Sequence, residues 1–293
     1  MDQAEQLRNI IKKQNQIVKT ARVITVTSGK GGVGKSSVSV NLGIQMSKLG
    51  KRVIIFDADF GLANIEVMLG IRPRYNLADL IYQGKNLEEI ITKGPEGIGF
   101  ISGGSGIQEL ADVTKEQIHY MVGKLSALDE LADVVIIDTG AGITASVLEF
   151  ISASQEVLLV TTPEPTSITD AYALLKTLNR KEEFSPENTS VKLVANRVSS
   201  SGEGKQLFDK LNLVVEKFLD FKIEYLGSVP YDHSVSKAIM QQKPYSLVYP
   251  HSSSSKAIIE LACILCEETK KESQQNKGIA QFFSYLYHSK LKK

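Results

Sequence analysis

One stretch near the amino end restricts the fold more than any other: Ser28-Gly29-Lys30-Gly31-Gly32-Val33-Gly34-Lys35-Ser36-Ser37. From Gly29 to Ser36 it satisfies the spacing G-x-x-x-x-G-K-S/T, which carries meaning only between a strand and a helix. Both are expected here. Residues 22–27 read as a short buried strand, and residues 35–49 carry Val38, Leu42, Met46 and Leu49 at helical spacing. Between them, Gly31, Gly32, Val33 and Gly34 form a loop in which glycines let successive backbone N–H groups converge on one anion. The following helix directs its positive end at the same point. The loop suits the phosphates of a nucleoside triphosphate such as ATP. Lys35 reaches the β- and γ-phosphates, Ser36 offers its hydroxyl to Mg2+, and Ser37 completes the cradle.

The rest of the chain supports an α/β body. Apolar runs at 23–27, 53–57, 98–102, 134–138, 157–161, 191–196 and 223–229 predict strands. Most are continuous rather than alternating, which favours a parallel sheet covered on both faces. Helices are expected at 115–131, 167–180, 203–218 and 252–268. The pattern is a doubly wound, mostly parallel sheet with ligands at the carboxyl ends of its strands. Residues 1–21 form a polar leader, 22–270 the body, and 271–293 a charged linker with a terminal helix. Of 293 residues only two are cysteines, so no disulfide framework is expected and a reducing, cytoplasmic setting fits. A net charge of +1 does not advertise a nucleic-acid surface. The leader lacks a signal peptide's apolar core, and no run of about 18 apolar residues occurs.

Further site residues fall at strand ends. Asp57-Ala58-Asp59 closes the second strand, where carboxylates orient metal and water or simply cap a turn. Asp138 follows Val134-Val135-Ile136-Ile137, the Walker B arrangement for Mg2+, and Thr139-Gly140-Ala141-Gly142 after it allows movement. Asn196 and Arg197 end a later strand where a base fits, since an asparagine amide pairs with both a donor and an acceptor. Pro230 stands where the other wall of that pocket belongs; a plain turn is the alternative for both segments.

Together these residues resemble the MinD/ParA family of deviant Walker A ATPases over about residues 22–270. The marks are Lys30 through Ser36, Asp57-Ala58-Asp59 with Gly61-Leu62-Ala63-Asn64, and Asp138 through Gly142. The resemblance implies a homodimer that sandwiches two ATP molecules. Lys30 then serves the partner's phosphates, Lys35 and Ser36 act in cis, Asp59 positions the attacking water, and Asp57 and Asp138 support Mg2+. Glu164 is expected to reach a ribose across that dimer. The leader residues Asp2, Gln3, Ala4, Leu7 and Arg8 resemble the activator motif of the flagellar FlhG (YlxH/FleN) subfamily. That subfamily stimulates the GTPase FlhF, meets basal-body C-ring proteins, and sets flagellar number and placement. Its members also restrain a flagellar transcription activator, a property on which these residues are silent.

In the terminal segment, Ile279, Phe282, Phe283, Leu286 and Tyr287 make one apolar helical stripe, and Lys290 with Lys277, Lys292 and Lys293 adds positive charge. Such a helix suits the anionic inner face of a cell membrane; docking on the protein's own surface is the alternative. Three rivals stand beside the flagellar reading. One is a partitioning or cell-division ATPase, and another a scaffold that binds nucleotide without turnover. The third is an iron–sulfur carrier using Cys263 and Cys266, although their apolar helical setting favours a core role.

Overall fold

The computed structural model describes residues 20–59, 64–104, 115–272 and 278–291, with backbone alone at 115–119, 269–272 and 287–291. Asp2, Gln3, Ala4, Leu7 and Arg8 lie outside the described residues, as do Gly61 and Leu62 and the side chains of Tyr287 and Lys290. The chain opens with β1 (Arg22–Ser28), α1 (Lys35–Lys48), β2 (Val53–Ala58) and α2 (Asn64–Leu69). Short helices α3 (Leu77–Tyr82) and α4 (Leu87–Ile90) lead to β3 (Thr92–Lys93) and β4 (Gly99–Ser102). Next come α5 (Lys115–Leu125), α6 (Leu128–Leu131), β5 (Val134–Ala141) and α7 (Ala145–Ala153). They are followed by β6 (Glu156–Thr161), α8 (Pro165–Asn179), β7 (Ser190–Val198), α9 (Ser201–Leu219) and β8 (Glu224–Pro230). The chain closes with α10 (His233–Met240), α11 (Tyr245–Val248), α12 (Ser253–Glu272) and α13 (Gly278–Leu291).

Eight strands form one sheet in the order β3-β4-β2-β5-β1-β6-β7-β8. Every pair is parallel except β3 with β4. The continuous apolar runs explain this two-sided burial. In β5, Val134 and Ile136 join the cluster that includes Leu42, Ile44 and Leu261, while Val135 and Ile137 join the one on the other face. β1 sits between β5 and β6, so the order reverses at its carboxyl end, where an open α/β sheet offers its crevice.

The structure departs from expectation at three places. The helix expected over 115–131 breaks into α5 and α6, and the Ser126 hydroxyl donates to the Gly123 carbonyl (2.7 Å) at the break. The two-residue β3 is too short to leave a pattern. The body does not stop at residue 270, because α12 continues to Glu272 and α13 returns to the core.

That return is the docked alternative for the apolar stripe at the carboxyl end. Ile279, Phe282 and Phe283 are buried, and Leu286 packs partly buried beside them. Phe283 meets Phe56 of β2 edge-on at 5.9 Å between centroids, and Phe282 meets Phe150 of α7 at 5.9 Å. Burying each phenyl ring contributes about 1.5–3 kcal/mol, which draws the stripe onto the body. The start of α13 is pinned electrostatically. Asp129 accepts from the N–H groups of Ile279 (2.9 Å) and Ala280 (3.4 Å) and also from Ala21 (2.9 Å), where the leader joins the sheet. A carboxylate at this position satisfies otherwise unpaired amides and complements the helix dipole. The Tyr285 hydroxyl adds a bond to the Glu183 carbonyl (2.6 Å). Among the described residues, no helix is long and apolar enough to cross a membrane.

Candidate nucleotide site

The carboxyl ends of β1, β7 and β8 surround a cleft of about 810 Å³. Gly34, at φ 94°, caps the start of α1 in a left-handed conformation open chiefly to glycine. A Cβ there falls 2.4 Å from Asn196 Nδ2, so the loop and β7 approach too closely for any side chain. The cleft is lined by Gly31, Gly32, Gly34, Lys35, Ser36 and Ser37, by Asp59 and Asn64, and by Asn196, Arg197 and Pro230. Val33 lies in the hydrophobic core and contributes its backbone, its carbonyl accepting from Asn196 Nδ2 (2.7 Å). Asn196 therefore clamps the phosphate loop through its amide nitrogen.

Asp138 is fully buried beneath the loop. Its Oδ2 lies 3.1 Å from Lys35 Nζ, within ion-pair range but not aligned as a hydrogen bond. Its Oδ1 accepts from Ser39 Oγ (2.7 Å). Asp57 is its direct register partner on β2. Burial, reinforced by repulsion from Asp138, pushes the Asp57 carboxyl up to about 8. Asp59 is also raised, mainly by burial, with Lys35 opposing. Its backbone N–H donates to Asp57 Oδ1 (3.0 Å), and its carboxylate accepts from Asn64 Nδ2 (3.3 Å). The oxygens of Ser36, Asp57 and Asp138 form a hard donor set suited to Mg2+, and the unaligned Asp138 Oδ2 fits that use.

Within this single chain, Lys30 and Glu164 pair with each other at the rim of the cleft. Lys30 Nζ sits 3.1 Å from Glu164 Oε2 and donates to Thr166 Oγ1 (2.8 Å) at the start of α8. Both charged side chains are more than a third exposed, so the pair contributes under about 1 kcal/mol and separates readily. Tyr231 continues the wall expected at Pro230, while Ser39, Thr166 and the wall residues Val235, Ile239 and Tyr245 were not anticipated. Ser39 stands one helical turn after Lys35, a position that by itself marks no role. Cys263 and Cys266 lie on the continuous helix α12, Cys266 inside the core and Cys263 half-buried.

Comparison with known proteins agrees with this geometry. The profile of the CobQ/CobB/MinD/ParA nucleotide binding domain matches residues 24–245. The antiactivator FleN of Pseudomonas aeruginosa is 43% identical over 250 residues, covering 85% of this chain and 88% of that protein. The flagellum site-determining protein YlxH of Helicobacter pylori is 34% identical over 271 residues, covering 90% and 89%. Among solved structures, the MinC:MinD cell division complex of Aquifex aeolicus aligns with a TM-score of 0.65 at 27% identity, covering 84% of this chain and 96% of that one. The chain belongs to the CobQ/CobB/MinD/ParA nucleotide-binding family, as a MinD-like ATPase of the flagellar FleN/YlxH branch.

Proposed function

We propose that this protein is an ATP-driven dimerisation switch that governs the number and placement of flagella. The observation that carries the reading is the convergence of Lys35, Asp138 and Asp59 around one cleft at the strand ends. When ATP enters, Lys35 transfers from Asp138 to the β- and γ-phosphates, and the phosphate-loop amides hold the remaining charge. Asn196 Oδ1 accepts from the exocyclic amine of adenine, an arrangement that disfavours the carbonyl of guanine. Ser36 would hold Mg2+, with Asp57 and Asp138 supporting it. Once bound, Mg2+ neutralises charge across the transferring phosphoryl group. Asp59 orients the attacking water.

Lys30 leaves Glu164 and Thr166 to serve a second subunit's phosphates, which makes turnover depend on the homodimer. Glu164, once released, is available to a ribose. In the ATP dimer α13 swings from its groove and presents Ile279, Phe282, Phe283, Leu286, Tyr287 and Lys290 to an anionic membrane. Two such helices supply the avidity that one lacks. The leader, through Asp2, Gln3, Ala4, Leu7 and Arg8, stimulates an FlhF-type GTPase, and basal-body C-ring proteins are further partners. The Helicobacter relative's name, a flagellum site-determining protein, supports the flagellar assignment.

Size-exclusion chromatography and ATP hydrolysis test the reading together, using wild type and Lys30→Ala. The wild type is expected to dimerise with ATP and turn it over with Mg2+. Lys30→Ala is expected to bind ATP yet lose the stable dimer or turnover. A monomeric wild type that retains full turnover would contradict the shared-site mechanism.

A further inference from the structure

We propose that Ser39 is a positioning residue for ATP hydrolysis, acting through Asp138; this rests on the ATPase reading above. Ser39 is fully buried in α1, one turn after the phosphate-loop lysine. Its hydroxyl has two acceptors in range, the Asp138 Oδ1 carboxylate at 2.7 Å and the Lys35 carbonyl at 3.2 Å. One hydroxyl carries one hydrogen, and the shorter contact to the carboxylate takes it.

The two oxygens of Asp138 are thereby given different tasks. Ser39 holds Oδ1, while Oδ2 faces Lys35 Nζ at 3.1 Å. A carboxylate turns easily about its terminal torsion, so a single fixed oxygen sets the plane of both. When a triphosphate draws Lys35 away, the bond from Ser39 remains and keeps Oδ2 directed at the position of the metal and its waters. Without Ser39, Asp138 is free to turn toward Lys35 with both oxygens. That grip delays transfer of Lys35 to the phosphates and misdirects the metal's support.

The test compares Ser39→Ala and Ser39→Thr with wild type in full-length protein. Three quantities are read: binding of a fluorescent ATP analogue in EDTA, the Mg2+ concentration that half-tightens that binding, and the Mg2+ dependence of turnover. Ser39→Ala is expected to bind nucleotide normally in EDTA, to need about tenfold more Mg2+, and to lose about tenfold in kcat, on the scale of lost support behind a metal ligand. Ser39→Thr keeps the hydroxyl and is expected to restore the Mg2+ dependence. Thermal midpoints in EDTA separate folding defects from this effect, since Ser39→Ala leaves no large void. An alanine variant with Mg2+ dependence within twofold of wild type would overturn the proposal, and so would lost turnover at unchanged Mg2+ dependence. If the wild type shows Mg2+-tightened binding but no turnover, the ATPase reading fails, while the Ser39 comparison is still decided by binding.

Discussion

The strand-end cleft and the groove that holds α13 are built on opposite principles. At the cleft, charges are buried close together and incompletely matched: Asp57 stands beside Asp138, and Asp138 Oδ2 faces a lysine without hydrogen-bond alignment. At the groove, phenyl rings pack on phenyl rings and one carboxylate caps the arriving helix. The first arrangement leaves buried charge incompletely matched, a set that a cation and phosphates would complete. The second is complete by itself. The two regions are nevertheless contiguous. Phe56 is the neighbour of Asp57 on β2, and α7, which bears Phe150, follows the glycine-containing segment after Asp138. A rearrangement that completes the cleft therefore acts on residues that floor the groove.

The largest expected effect breaks the cleft alone. Asp59→Ala should lower kcat by roughly 100- to 1,000-fold while ATP binding persists, as loss of a water-orienting group does. Single-turnover hydrolysis beside nucleotide-binding titration checks it. Next comes the cost of the unmatched cleft. The folded Asp57 carboxyl, raised to about 8, keeps a proton that the unfolded chain releases from about pH 4 upward. Metal-free stability should therefore fall as pH rises through that window. Asp57→Asn should flatten the profile and raise the thermal midpoint near pH 8 by several degrees, with little change at pH 5, read by calorimetry in EDTA.

A smaller effect tests the groove. Asp129→Ala removes the cap of α13, worth about 0.5–2 kcal/mol, and should raise binding to anionic vesicles severalfold without ATP. Co-sedimentation measures it. The smallest expected change is in stability at the exposed pair. Glu164→Ala should alter unfolding free energy by less than about 1 kcal/mol in a denaturant titration.

What the sequence disclosed follows from the range of the interactions. Val134 through Asp138 announces a buried strand ending in a carboxylate because the signal is local, and so does the loop from Gly29 to Ser36. The pairing of Lys30 with Glu164 spans 134 residues and leaves no local mark. The stripe at Ile279, Phe282 and Phe283 has the same spacing whether it faces lipid or Phe56 and Phe150, so periodicity cannot choose between them. Ser39 resembles any small helix residue until Asp138 is brought beneath it. Interactions written in neighbouring residues were legible, and those made by the fold were not.

The central claim is that nucleotide at the cleft controls the groove. Hydrogen exchange of the α13 amides in Asp59→Ala, expected to hold ATP with slowed turnover, tests it most directly. With ADP, amides over residues 279–286 should stay protected; with ATP and anionic vesicles, the Phe56 and Phe150 segments should lose protection as α13 leaves. Equal protection of α13 and its groove in both nucleotide states would contradict the account.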